Sequence, residues 1–465
     1  MKLVRIFILL LVVFFSCGAL RGTANQVLAQ VGDTEEKEAF ELEQVVVTAP
    51  PIKSGPTSTI IDVEKFSTPE RRETVLDILS RIGTVHVQRR SLTSPDPEEV
   101  IGIRGLDDSR LAIYMDGRPI VSNDTIHDWA SQTLDFVEKI EVIRGGASAL
   151  YGNSLGGVIN IVTKKQKKPE TLKPHVEMKV DLAEDDTQTY KAHISGGGGP
   201  FLYRSSVNRR LSDGYLRNND FDAWDFHNAL TLVIPSGTSL SFSWRYSDLT
   251  RGHAVVNDPS RPDYDSSYPV VKEDADILKW HPGRMPFVGG RNELEKEINY
   301  FDVVFRQAIW KGDFKLIGYR NEVKLDDYYF APTFLSAEPV QQVSGGEIYE
   351  DQTWGIISQY HFLPHPDHEV TVGFDWRQIG VEPAQNIRNI KSPYIEDVWQ
   401  VTSKLTTRLG LRYTHLRDSN WWVPPGDRTF YYREWQPKFM ASYKFIPETE
   451  GYLSICRGFR EEGGC

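Results

Sequence analysis

The chain has little cysteine and no motif of a common catalytic site. Its three cysteines are Cys17, Cys456 and Cys465. The first lies in an apolar N-terminal segment, and the other two lie too close to the chain end to build a disulfide framework. There is no CxxC, HExxH, P-loop or nucleophile elbow. The sequence therefore predicts neither an enzyme nor a cofactor, and no metal centre.

The histidines do not change this prediction. His365 and His368 lie in a turn rich in proline and aspartate. Two ligands alone do not close a metal site. We interpret both as exposed turn residues.

An excess of positive charge is also missing. The formal net charge is -11 and the pI is about 5.6. Acidic and basic residues are interleaved without the basic stripe of a nucleic-acid binder, so we expect no nucleic-acid partner.

The length of 465 residues exceeds one ordinary domain, so we expect two domains.

Long apolar runs are missing except at the N-terminus. Lys2 and Arg5 precede the apolar run 6–15, and Val27-Leu28-Ala29 offers a small-residue cleavage site. This pattern predicts a signal peptide over 1–29. The alternative, a retained anchor, fits less well because a spanning helix needs about 20 apolar residues. Without such a helix, a mature chain in a membrane must cross it as a β-barrel.

Aromatic residues are abundant, at 11%, although the mean hydropathy is polar at -0.39. From Lys173 onward, segments of about ten residues alternate apolar and polar side chains. The clearest are 239–248, 369–377, 408–414 and 438–445. In a soluble sandwich the aromatic face would form the core, whereas in a large barrel it would meet lipid. Alternation alone leaves both possibilities open.

The connections between these segments differ in length. A tight turn covers 235–238, whereas 250–296 and 326–351 read as long connections. Short turns on one side and long loops on the other are typical of outer-membrane barrels. Tyr264, Trp280, His281 and Arg284 lie in the longest loop and are candidates for ligand contact or for loop packing. The ligand-binding residues therefore stay unknown.

The segment 138–163 contains two β-branched runs around a stretch rich in glycine, serine and alanine. Such a stretch has too little side-chain volume for a core of its own, and suits a backbone packed closely inside something else. Together with 101–106 (IGIRGL) and 113–120 (IYMDGRPI), it resembles the plug domain of TonB-dependent outer-membrane receptors. The positions that match the plug pattern are Arg104, Gly105, Asp116, Gly117, Arg144, Gly145, Gly146, Tyr151, Gly152, Gly156 and Gly157.

The resemblance implies an α+β plug over 45–165 and an antiparallel transmembrane β-barrel over 173–465. Within the plug we predict helices over 74–82 and 126–136, strands over 84–88, 101–104, 111–115, 140–143 and 158–162, and a hairpin turn at Asp116-Gly117. The resemblance also implies that Arg104 and Arg144 pair with carboxylates of the barrel wall. The alternative is a solvated charge at a strand end.

A short extended segment precedes the plug. Residues 30–44 form an acidic spacer without periodicity, which predicts a flexible segment. The next residues favour an extended backbone, and Pro50-Pro51 prevents its continuation. The segment resembles a TonB box, which TonB captures by strand addition; the alternative is a first plug strand. Its residues are Glu43, Gln44, Val45, Val46, Val47, Thr48 and Ala49.

The resemblance implies import of a scarce chelate, such as a ferric siderophore, haem or cobalamin, across the outer membrane of a Gram-negative bacterium. The partners would be TonB, outer-membrane lipid and the chelate. Two alternatives stay open: an uncoupled ligand-binding or adhesive barrel, and a soluble β-rich periplasmic enzyme. We count about thirteen strand candidates, whereas plugged transporters of this kind have about 22. The sequence therefore predicts an incomplete barrel.

Overall fold

Almost every described residue belongs to a β-strand or a short connection between strands. The computed structural model describes residues 58–66, 74–88, 100–106, 110–120, 133–145, 148–152, 155–165, 173–234, 236–252, 254–262, 264–272, 293–330, 343–380, 387–420, 428–446 and 449–458. All of them lie in one compact unit, Val46–Cys465. The predicted signal peptide, the predicted spacer and the segment Glu43–Ala49 lie outside the described residues.

The described residues of the first part of this unit, which we call the plug, form seven strands and two short helices. They are β1 (Ser58–Asp62), α1 (Val63–Phe66), α2 (Val75–Ser80), β2 (Val85–Gln88), β3 (Val100–Ile103), β4 (Leu111–Met115), β5 (Arg118–Pro119), β6 (Val137–Arg144) and β7 (Gly157–Thr163). Five strands form a mixed sheet in the order β1-β6-β7-β4-β5, and β2 pairs with β3 separately. A core of aliphatic side chains from these strands and α2 holds the plug together.

The second part is one antiparallel sheet of 13 strands, which we call the wall sheet. Its strands are β8 (His175–Leu182), β9 (Gln188–Gly198), β10 (Phe201–Ser212), β11 (Phe221–Ile234), β12 (Thr238–Gly252), β13 (Glu293–Ile309), β14 (Gly312–Phe330), β15 (Val343–His365), β16 (His368–Ile379), β17 (Ile387–Gln400), β18 (Leu405–Asn420), β19 (Arg428–Ile446) and β20 (Thr449–Cys456). Each strand pairs with its sequence neighbour, and β8 and β20 are the two edges.

The plug elements agree with most of the sequence expectations. Helix α2 starts at a capping box in which Thr74 and Asp77 satisfy each other's backbone N–H groups. The two-residue turn between β4 and β5 has φ values of 53° at Asp116 and 81° at Gly117, as a type I′ turn requires. The predicted helix over 126–136 is wrong in its described part. Residues 133–136 are not helical, and Thr133 forms a β-bridge with Thr74.

Gly157 sits where the central strand β7 begins, and its backbone has φ +152°. A Cβ there would lie 2.4 Å from the Ile143 carbonyl oxygen. We expect Gly157→Ala to destabilise the plug by about 1–3 kcal/mol, because backbone must shift to relieve the overlap. Limited proteolysis at increasing urea concentrations measures this loss. Gly83→Ala is the control, since its Cβ would meet nothing within 4 Å. Equal protease resistance of the two variants would contradict the expectation.

The two faces of the wall sheet are inverted relative to a soluble protein. Leu240 and Phe242 on β12 are exposed, and so are Val372 and Phe374 on β16. On the opposite face of the same two strands, charged side chains such as Arg245 and Asp375 are buried. No described helix has the length and apolar character needed to cross a membrane. The soluble sandwich therefore does not fit, since its aromatic face would be the buried one.

Connections alternate in length along the wall sheet. At one end of the strands the connections are short: 199–200, 235–237, 310–311, 366–367, 401–404 and 447–448. At the opposite end they are longer: 183–187, 213–220, 253–292, 331–342, 380–386 and 421–427. The alternation was predicted, but the predicted bounds of the two long loops, 250–296 and 326–351, include strand residues at both ends of each loop. Strands β12 to β15 run beyond the segments in which aromatic and polar residues alternate, so polar strand residues were taken for loop.

Candidate functional site

The candidate site is the surface on which the plug meets the inner face of the wall sheet. Its centre is the plug segment 148–152 (SALYG), which we call the strap. The strap backbone is held by three charged side chains of the wall. Glu396 accepts a hydrogen bond from the Ala149 N–H at 2.6 Å, Arg412 donates to the Ala149 carbonyl at 3.4 Å, and Lys438 donates to the Ser148 carbonyl at 2.6 Å.

These side chains belong to a buried polar cluster on β16 to β19. The Arg412 guanidinium is fully buried and contacts Asp375 at 2.7 Å, and Arg377 reaches the same carboxylate at 3.3 Å. Arg412 also lies 5.2 Å over the ring of Tyr394. Buried charges are tolerated only when paired in this way. The strap also packs closely against the wall at Gly410, where an added Cβ would lie 2.8 Å from the Cβ of Ala149.

Two further contacts fix the other side of the plug. Arg118, at the end of the β4–β5 turn, donates to Asp302 at 3.0 Å and to Asn321 at 2.6 Å, both on the wall. Asp135 accepts bonds from Lys191 at 2.7 Å and from Asn208 at 2.8 Å. The plug is therefore tied to strands on both halves of the wall sheet by charge-assisted hydrogen bonds.

Asp116 organises the turn that carries Arg118. Its buried carboxylate accepts bonds from the backbone N–H and the hydroxyl of Thr163, at 3.0 and 2.7 Å, and forms an ion pair with Lys165 at 2.8 Å. Burial alone would raise the pKa of Asp116, but Lys165 and Thr163 outweigh it and hold the pKa below its ordinary value. The aspartate therefore stays charged and fixes the end of β7 to the turn.

Arg104 and Arg144 do not contact the carboxylates of the wall that the resemblance implies. Arg104 donates to the hydroxyl of Tyr452 on β20 at 2.7 Å. Arg144 donates to Thr84 at 2.8 Å and to Thr59 at 2.6 Å, both within the plug. Burial, and then the charge of Arg104, lower the pKa of Arg144. The prediction is corrected for both residues: their described partners are hydroxyl groups.

The other plug-pattern residues lie in three places. Gly105 and Gly145 adopt positive φ in turns next to the arginines. Tyr151 and Gly152 lie in the strap, where the Tyr114 hydroxyl accepts from the Gly152 N–H at 3.2 Å and the two tyrosine rings meet edge to face at 4.9 Å. Gly156 and Gly157 open β7, whereas Gly146 lies outside the described residues.

The described part of the longest loop has a fixed fold of its own. Asn257 is fully buried, and its amide donates to the carbonyls of Asp265, Tyr268 and Pro269 at 2.8, 3.1 and 3.0 Å. Its side-chain oxygen accepts from the Asp265 N–H at 2.9 Å. Of the four loop residues considered for ligand contact, only Tyr264 is described, and it is exposed.

Asn257→Asp tests how far this one side chain holds the loop. The substitution removes two donors and places a charge against three carbonyl oxygens, so the turn 257–271 is expected to open. Chymotrypsin should then cleave the folded protein after the exposed Tyr264 at least about tenfold faster, because the local opening free energy falls by 1.4 kcal/mol or more. Ser267→Ala, which removes one exposed contact, is the control. An unchanged cleavage rate in Asn257→Asp would contradict the expectation.

The fold and this interface define a class of protein: a long antiparallel β-wall whose inner face contacts a plug with a mixed sheet of its own. The family model for the TonB-dependent Receptor Plug Domain matches residues 51–158, and that for the TonB dependent receptor-like beta-barrel matches 180–462. The chain therefore belongs to the TonB-dependent receptor family. This confirms the resemblance seen in the sequence and the plug-plus-barrel fold.

Individual relatives agree with this assignment. The chain is 23% identical over 464 positions to the probable TonB-dependent siderophore receptor PirA of Acinetobacter baumannii, covering 85% of this chain and 58% of that protein. It is 30% identical over 212 residues to the ferric enterobactin receptor of Pseudomonas aeruginosa, covering 42% and 28%. The vitamin B12 transporter BtuB of Vibrio cholerae is 29% identical over 162 residues, covering 33% and 26%.

Solved structures support the fold. The ferric yersiniabactin uptake receptor FyuA from Yersinia pestis superposes with a TM-score of 0.64 at 15% identity, over 86% of this chain and 64% of that one. The ferric enterobactin receptor PfeA gives 0.63 at 16% identity, over 88% and 63%. The chain thus spans less than two thirds of the length of these proteins.

Proposed function

We propose that the receptor to which this chain contributes imports a scarce metal chelate across the outer membrane and is driven by TonB. The observation that carries the proposal is the strap. The plug is held against the inner face of the wall by hydrogen bonds between the strap backbone and the side chains of Glu396, Arg412 and Lys438, and such bonds can be exchanged for bonds to water. Polar contacts of this kind suit a plug that must move. An apolar interface would suit a permanent stopper.

The proposed ligand is a ferric siderophore, with cobalamin as the second choice. The support comes from the relatives, of which one is a probable siderophore receptor, one a ferric enterobactin receptor and one a vitamin B12 transporter. The end of the wall sheet with the long connections is the proposed ligand-binding side, because ligand-binding residues often lie on loops that a rigid scaffold positions. Tyr264 is its described aromatic candidate; Trp280, His281 and Arg284 lie outside the described residues.

Coupling is proposed to run through Glu43–Ala49. Its last residue, Ala49, lies nine positions before β1, which is an edge strand of the plug sheet and, among the described strands, pairs with β6 alone. A partner that adds a strand to Val45–Val47 would pull directly on this edge. The outer membrane holds no nucleotide supply, so the work must come from a partner reached through the periplasm.

The proposal is tested by uptake in cells that lack their own siderophore and cobalamin receptors. Cells that produce the receptor should accumulate a radiolabelled ferric siderophore, and a deletion of tonB should abolish accumulation without reducing binding at the cell surface. Accumulation that is independent of TonB would favour an uncoupled pore. Surface binding without accumulation in either strain would favour an adhesive or ligand-binding barrel.

A further inference from the structure

The first hairpin of the wall sheet carries a cluster of metal-ligating side chains outside the plug contacts already described. His175 and Glu177 lie on β8, and His193 lies on β9. The intervening residues Val176 and Met178 are exposed on the opposite, apolar face. Because side chains alternate along a strand, His175 and Glu177 both point to the inner face of the sheet.

The strand register brings the three side chains together. Glu177 pairs directly with His193, and His175 is two residues away on the same face. One ligand atom from each lies within 4.8 Å of the others, and the imidazole rings are 6.0 Å apart. The Nε2 atom of His193 is buried and has no hydrogen-bond partner. A buried imidazole nitrogen without a hydrogen-bond partner costs folding free energy, and coordination of a metal ion would remove that cost.

We propose that His175, Glu177 and His193 bind one divalent transition-metal ion, with zinc as the best match, and that the ion ties β8 to β9. Two imidazoles and one carboxylate are a ligand set that zinc uses, at bonds of about 2.0–2.2 Å. Rotation about the side-chain bonds brings atoms 4.8 Å apart to the closer spacing that such bonds require. Magnesium and calcium fit this ligand set poorly, because they prefer oxygen ligands and two of the three ligands are imidazole nitrogens. The inference does not depend on the proposed import function.

The charges around the cluster permit a cation. Arg204 on β10 and Lys164 at the end of the plug interact electrostatically with His193 and oppose a dication. Glu177, Asp135 and Glu138 interact with Arg204 in turn and offset its charge. Since Arg204 opposes the metal, Arg204→Gln should tighten metal binding at this hairpin and leave metal binding elsewhere on the chain unchanged.

The test is a titration of the full chain, purified in detergent micelles without an affinity tag, with cobalt(II) and then zinc(II). We expect one equivalent of cobalt to give an intense visible absorption band, which marks four- or five-coordinate geometry, and zinc to displace it. Glu177→Gln, a substitution of an exposed side chain, should weaken zinc binding at least about tenfold, since even outer partners of a ligand contribute that much. His193→Ala should abolish the cobalt band.

The control is the double variant His365→Ala, His368→Ala, at the two residues that flank the turn 366–367. The two rings lie 6.3 Å apart, close to the spacing in the first hairpin. Each ring contacts a different carboxylate, Asp367 at 3.4 Å and Asp397 at 2.8 Å, and in the described structure no third ligand atom joins both histidines. This double variant should leave the band and the zinc affinity unchanged. Zinc affinity that is insensitive to Glu177→Gln, or that falls equally in the control, would overturn the proposal. So would a cobalt spectrum that keeps the weak absorption of the hydrated ion.

Discussion

Val46→Pro should abolish uptake and leave ligand binding at the cell surface nearly unchanged. Proline removes the backbone N–H of residue 46 and fixes its φ, so this position cannot donate to an added strand. The last residue of the segment, Ala49, lies nine positions before the first described plug strand, and the described side chains of the plug core begin at Ile61. The substitution therefore separates coupling from folding.

Val46→Ile is the matched control, because it keeps the donor and the preference for an extended backbone. It should transport at the parental rate. Both variants are compared for accumulation of labelled chelate and for binding to cells chilled to stop transport. Uptake by Val46→Pro at the parental rate would reduce the segment to a linker and favour the uncoupled barrel.

Arg412→Met should destabilise the plug–wall interface by about 3–5 kcal/mol, the usual cost of leaving one partner of a buried ion pair alone. The guanidinium is fully buried, bonds to Asp375 and reaches the strap carbonyl of Ala149. Methionine fills part of the volume but leaves Asp375 with only Arg377 as a charged partner on this face. Unfolding in detergent by urea, followed by tryptophan fluorescence and by protease access to the plug, measures the loss.

Two comparisons make this result specific. Arg209→Met removes an ion pair with Asp222 whose side chains are 38% and 45% exposed, and should cost only about 0–1 kcal/mol. In the double variant Arg412→Met, Asp375→Asn the two losses should be less than additive, because both substitutions break the same ion pair. If Arg412→Met and Arg209→Met unfolded at the same urea concentration, the buried cluster would not be what holds the strap.

Local patterns in the sequence were enough to predict the strands of the plug and the alternation of the wall. The Asp116-Gly117 turn, helix α2 and strand β7 each follow from a few adjacent residues. The predicted count of about thirteen wall strands agrees with the 13 strands found. Strand β1 was missed, because Ser58–Asp62 is short and becomes a strand only by pairing with β6.

The contacts that build the candidate site could not be predicted in the same way. Alternation places Arg412 and Lys438 on the inner face, but their partners in the strap lie more than 260 residues earlier. Which charge meets which backbone group depends on how the sheet curves around the plug. The same reason explains the correction at Arg104 and Arg144, whose neighbours are set by the packing of distant strands.

We expect the wall sheet to lie in a membrane, with its aromatic face in lipid and its charged face around the plug. Spin labels placed one at a time at 239–244 along β12, with the protein in outer-membrane vesicles, test it most directly. Labels at Leu240, Phe242 and Trp244 should collide freely with dissolved oxygen, and those at Ser239, Ser241 and Ser243 should not. An oxygen accessibility without this two-residue period, or free access of a water-soluble nickel chelate to both faces, would contradict the account.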